Sequence, residues 1–144
     1  MSKLKLMGLV LLCICMAPLS APAADFDGSR SLICASVDVI ECDEGEACRE
    51  VTPESINAPR FLKVNFQEKK ISTRAGSADK RTTEIQHMGR VDGKLILQGM
   101  EDGVEGVRDG LGWSLAISEE TGKMVLTGSG DQVGFVLFGA CIPD

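Results

Sequence analysis

Trp113-Ser114-Leu115-Ala116-Ile117-Ser118 alternates large apolar and small side chains without a break. Trp113, Leu115 and Ile117 fall on one side of the chain and Ser114, Ala116 and Ser118 on the other. That period of two is the pattern of a strand with one buried face. Downstream, Thr121-Gly122 reads as a turn into Lys123–Thr127, and Gly128-Ser129-Gly130-Asp131 as a second turn into Val133–Ala140. That last run is apolar on both parities, which predicts a strand covered on both sides or lying at a closure seam.

Working back towards the N-terminus gives the same kind of element. Asp92-Gly93 is a strong two-residue hairpin signal ahead of Leu95-Ile96-Leu97. Thr83, Ile85, His87 and Val91 share one parity, which places His87 on the inner face, and Gly89 reads as a bulge. Leu62, Val64 and Phe66 alternate with Lys63, Asn65 and Gln67, and Ile71 belongs to the hairpin partner. Thr52-Pro53-Glu54-Ser55 carries an N-cap followed by proline, the mark of one helical turn, which Pro59 ends. Leu32–Val39 forms the first strand, after a polar lead-in over 24–31. The total is about seven to nine short strands in an antiparallel meander, which predicts an all-β fold: a small closed barrel or a sandwich.

Residues 1–23 are of another kind. Two lysines, an apolar run from Leu6 to Leu19 and the small residues Ala21 and Ala23 form a secretory signal peptide, with cleavage expected after Ala23. About 14 apolar residues fall short of the roughly 20 that span a bilayer, so no membrane span is expected in the mature chain. Cys13 and Cys15 follow Leu12 and Ile14 rather than small residues and precede an intact cleavage site, so they leave with the leader instead of being lipidated. The mature product, residues 24–144, is then a single exported domain.

Composition limits its partners. The chain has 15 basic and 21 acidic residues; losing the leader removes two lysines and no acid, leaving 13 against 21, a net −8. Nucleic acid and anionic membranes both require clustered cations, so neither is expected. With no tyrosine and one tryptophan, Trp113, the chain has few flat rings for stacking on sugars.

Four cysteines remain in 24–144: Cys34, Cys42, Cys48 and Cys141. An even count in a small exported domain points to two disulfides. Of three possible pairings, Cys42–Cys48 across a short polar loop and Cys34–Cys141 between the domain ends are favoured. The second would close a loop long enough for about 4–5 kcal/mol of chain-entropy stabilisation. Zinc is disfavoured because no C-x2-C pair is present.

Candidate chemistry is sparse. His87 is the sole histidine and has no nucleophile motif near it, so a structural role is the plainer reading and no catalytic residue is assigned. The glycines of 128–134 superficially suggest a phosphate loop, but β-forming residues follow where a helix is required. Two acidic clusters, Glu41, Asp43, Glu44, Glu46 and Glu50, then Glu101, Asp102, Glu105 and Asp109, raise the question of calcium; neither has EF-hand spacing, and solvated loops are the simpler account. No metal or cofactor is expected.

Gly112-Trp113-Ser114-Leu115, Glu120-Thr121-Gly122-Lys123-Met124, Phe138-Gly139-Ala140-Cys141 and Ile56-Asn57-Ala58-Pro59 ahead of Phe61-Leu62 together resemble a set of small exported bacterial proteins with no assigned function. The resemblance implies a bacterial, periplasmic or extracellular address and carries no site residues. In architecture the meander is similar to calycin-type barrels, including lipocalins, although their Gly-x-Trp belongs on the first strand and Trp113 lies late. Function does not follow from such a likeness. The leading expectation is a non-enzymatic module binding a small apolar ligand inside the barrel, lined by Ile85, Leu95, Leu97, Trp113, Leu115, Ile117 and Phe135. Against it stands a solid core made by these same residues. The alternative is a protein-interaction module, such as a secreted inhibitor or envelope-assembly factor, working through the loop Glu101–Gly110.

Overall fold

Alternation, tight turns and one long-range strand pairing build the whole molecule. The computed structural model describes residues 25–74, 80–103 and 106–144; the leader assigned to 1–23 lies outside them. The strands are β1 (Leu32–Asp43), β2 (Arg49–Val51), β3 (Phe61–Asn65), β4 (Lys70–Thr73), β5 (Thr82–Glu84), β6 (His87–Val91), β7 (Lys94–Glu101), β8 (Leu111–Ser118), β9 (Lys123–Ser129) and β10 (Val133–Pro143). All belong to one antiparallel sheet in the order β5-β4-β3-β1-β10-β9-β8-β7-β6, with β2 added beside β1.

The expected closed barrel or sandwich is corrected to a curled half-barrel. Its two edge strands, β5 and β6, are consecutive in sequence and do not pair with each other. Ile85 N–H donates to Lys69 O at 2.8 Å, continuing the ladder with β4, and Gln86 N–H donates to Gln98 O at 2.9 Å, starting the ladder with β7. One run of chain therefore serves both ends of the sheet, and a run cannot hydrogen-bond to itself side by side. The change of partner also corrects His87. Ile85 is buried, but His87 faces outward opposite Gln98 and is exposed. The β6–β7 register runs unbroken through Gly89, so no bulge lies there.

The bulge is in β1. The β1–β10 register shifts between Ser36 and Asp38, leaving Val37 extra. Buried parity moves with it, from Leu32, Cys34 and Ser36 to Val39. Such an insertion re-aims the strand; before it β1 pairs with β3, and after it with β2. Both disulfides hang on this strand. Cys34 stands directly opposite Cys141 across β1–β10, and Cys42–Cys48 follows on from the β1–β2 pairs.

β10 does lie where the first and last strands meet, but it is not covered on both sides. Phe138 is 43% and Ile142 63% exposed on its outer face. The turn before it is shorter than expected, because Gly128 and Ser129 continue β9. Other turns hold as read. Asp92 and Gly93 both have positive φ, and Thr52 caps the 3-10 helix Pro53–Ile56 by accepting from Ser55 N–H.

The ends of the half-barrel are treated differently. At one, the lead-in packs on the core, with Phe26 against it and Gly28 beside Leu95 and Phe66. Asp27 O accepts from the Arg90 guanidinium there. At the other, the 3-10 helix and the segment to β3 cover the end only in part.

Candidate functional site: a hollow layer at the open end

Strand register sorts the inward side chains of β7 to β10 into layers. Leu95, Ile117, Met124 and Gly139 make the first, at the covered end. Leu97, Leu115, Leu126 and Leu137 make the second. The third is Gly99, Trp113, Gly128 and Phe135. Leucine against leucine packs the second layer on its β7–β8 side, where Leu97 and Leu115 have no exposed surface; Leu126 and Leu137 border the cavity described next. The third layer pairs one large ring with a glycine on either side.

The two glycines have opposite roles. A side chain at Gly99 would collide with Glu84 O and with the Trp113 indole, so glycine is what lets β5 and the ring close onto β7. At Gly128 a Cβ would meet Leu111 and Phe135 at 3.7 Å and Gly112 O at 4.0 Å, all ordinary contact. Trp113 thus occupies the room over Gly99, and the room over Gly128 stays open. The result is a cavity of about 140 Å³ lined by apolar groups including Leu62, Ile71, Leu111, Trp113, Leu126 and Phe135. It is open to solvent on one side, beneath Ile56–Pro59.

Hydrogen bonds hold the ring in place. Trp113 Nε1 donates to Thr83 Oγ1 at 3.1 Å, and Thr83 Oγ1 donates to Met100 O at 3.0 Å. One hydroxyl thereby joins β8, β5 and β7 at the seam and satisfies the indole N–H, which would be costly to leave unpaired. Among the described residues, the ionisable ones on the lining are Arg81 and Glu101. Arg81 Nη2 donates to Asn57 O at 2.5 Å, which fixes the guanidinium against the 3-10 helix exit.

Of the seven residues expected to line an interior site, Trp113 and Phe135 stand on the wall of this cavity. Ile85, Leu95, Leu97, Leu115 and Ile117 belong to the filled core instead. Sequence reading missed Gly128 because Gly-Ser-Gly-Asp has the composition of a turn; its register opposite Trp113 is what makes it part of the site. Arg81 and Glu101 carry no motif that would have marked them.

The other candidates lie elsewhere. His87 is on the exposed edge strand, away from the cavity lining. In the first acidic cluster a cation is already supplied by the chain. Arg49 contacts Glu41 at 2.6 Å, Asp43 at 2.7 Å and Glu46 at 3.5 Å, and its pKa is raised first by the Asp43 hydrogen bond and next by the Glu41 charge. In the second cluster Glu105 lies outside the described residues. Among the described residues no group of three or more His, Cys, Asp or Glu is arranged to hold a metal ion, and no helix is long and apolar enough to cross a membrane. The glycines of 128–134 close a hairpin into β10, not a helix. No family model, curated protein or solved structure matches this chain.

Proposed function

We propose that this protein is an exported, non-enzymatic binding module that holds a small apolar group in the open end of its half-barrel. The observation that carries the reading is the hollow in the third layer, floored by Leu126 and Leu137 of the second. The same four strands that fill the core with leucine leave about 140 Å³ between Trp113, Leu126 and Phe135. An apolar hollow bounded by aromatic and aliphatic walls is the general form of a small-molecule site. Two disulfides suggest a non-cytoplasmic environment. The leader reading of residues 1–23 supports export, and the likeness to small exported bacterial proteins supports the periplasm.

Trp113, the sole tryptophan, is a built-in reporter for the test. Titration with toluene should shift its emission and raise the melting temperature, by the equivalent of about 2.7 kcal/mol at a hundredfold excess over Kd. Gly128→Leu, which fills the hollow from a position with room for a side chain, should abolish both responses while the protein stays folded. Unchanged wild-type emission and melting at saturating toluene would sink the reading.

A further inference from the structure

The convex face of the sheet, turned away from the cavity, is apolar where the first and last strands meet. Phe138 and Ile142 of β10 are exposed on it, and Val37, the extra residue of β1, is 68% exposed beside them. Register sets Phe61 of β3 and Ala140 of β10 on either side of Ala35, and Ile33 beside Ile142. Four of the eight large apolar side chains exposed among the described residues thus gather on three neighbouring strands. Such a patch marks a contact where single exposed residues do not. We propose that this face joins two copies of the chain about a two-fold axis running along β10.

Area and charge both fit that occupant. With the half-buried Ile33, Val125 and Val136, the patch exposes roughly 600 Å² per copy, so pairing removes about 1,200 Å² from water, the size of the smaller stable interfaces. Two curled sheets that meet on their convex sides touch along a crest, and β10 with its flanks is a stripe of that form. Lys123 of β9 stands opposite Ala140 on one flank, and Asp38 of β1 stands opposite Phe138 on the other. Both are exposed, and neither joins an ion pair among the described residues. An axis along β10 exchanges the flanks and keeps the height, which brings Lys123 of each copy over β1 of the other, next to Asp38. Each ion pair then occurs twice, as an isologous contact requires. An acidic lipid surface would instead need clustered cations, and this chain carries a net −6.

Sedimentation velocity on the intact protein, from about 1 μM to about 1 mM, reads the pairing directly. A concentration-dependent shift from one copy to two is expected, with no larger species, because a two-fold contact closes on itself. Phe138→Asp should hold the protein at one copy while both disulfides and the Trp113 emission stay as in wild type. Lys123→Glu and Asp38→Lys should each weaken pairing by about three- to tenfold, and the double variant should restore most of it. A wild type that stays single at about 1 mM overturns the proposal and leaves the face to another occupant. A dimer that survives both Phe138→Asp and Val37→Glu, or a double variant no tighter than the single ones, overturns it too. Should Phe138→Asp fail to fold, Val37→Glu tests the same contact from the exposed bulge.

Discussion

The second and third layers of the interior stand on the same four strands, two residues apart along each. One is leucine on every strand; the other alternates glycine, tryptophan, glycine and phenylalanine. Backbone pairing is equally regular in both, so the difference in what they can do comes from side-chain volume alone. In the leucine layer Leu97 and Leu115 are sealed from water, while Leu126 and Leu137 form the floor of the cavity. In the glycine layer one gap is taken up by a ring and the other is left over. A site here required no change of fold, only the omission of a side chain at Gly128 from a position that faces inward.

The contrast can be broken from the filled side. Leu115→Ala makes a cavity where Leu115 is now 0% exposed, and urea unfolding should show a loss of about 2–5 kcal/mol. Toluene should partly restore that loss by entering the new space. From the hollow side, Thr83→Val removes the acceptor of the Trp113 N–H and the donor to Met100 O. A loss of about 1–3 kcal/mol is expected, with a red-shifted Trp113 emission as the seam loosens.

Smaller effects sharpen the comparison. Ser36 belongs to the filled end, opposite Gly139, and its buried hydroxyl has no hydrogen-bond partner among the described residues. Ser36→Ala should therefore be neutral or stabilising by less than about 1 kcal/mol in the same assay. The smallest effect falls on the cover of the hollow end. The Glu54 carboxyl is held below the ordinary range, chiefly by its hydrogen bond from Arg60. A lowered folded-state pKa contributes stability above the ordinary carboxylate pKa and loses it as pH falls through the lowered value. Glu54→Gln should thus melt slightly below wild type at neutral pH, and the two melting temperatures should converge in acid.

Much of this was legible without coordinates. Asp92-Gly93, Thr121-Gly122 and the Thr52 cap are local signals, decided within a few residues, and each lies where its chemistry requires. The pairing Cys34–Cys141 follows once Cys42 and Cys48 are joined across their short loop, and the bridge ties adjacent strands. What could not be read is whatever depends on which strand lies alongside. The extra residue at Val37 is an ordinary valine in an apolar run, yet it moves the buried parity from Ser36 to Val39. Ile85 and His87 share a parity in sequence, yet the change of partner between them sends one inward and the other out. Gly128 reads as a turn residue until register sets it opposite Trp113, and the candidate site follows from that single placement.

The order in which the cysteines are synthesised gives β1 a further consequence. A ribosome delivers Cys34, Cys42 and Cys48 long before Cys141, whose partner lies 107 residues earlier. An oxidant acting on thiols as they emerge can join Cys34 to Cys42 or Cys48, links absent from the native protein. Reaching the native pairing means either that Cys34 stays reduced until β10 arrives, or that a later thiolate attacks the early bond and exchanges it. Maturation of this small domain is therefore timed by its last strand, since by either route the Cys34–Cys141 bond waits for β10.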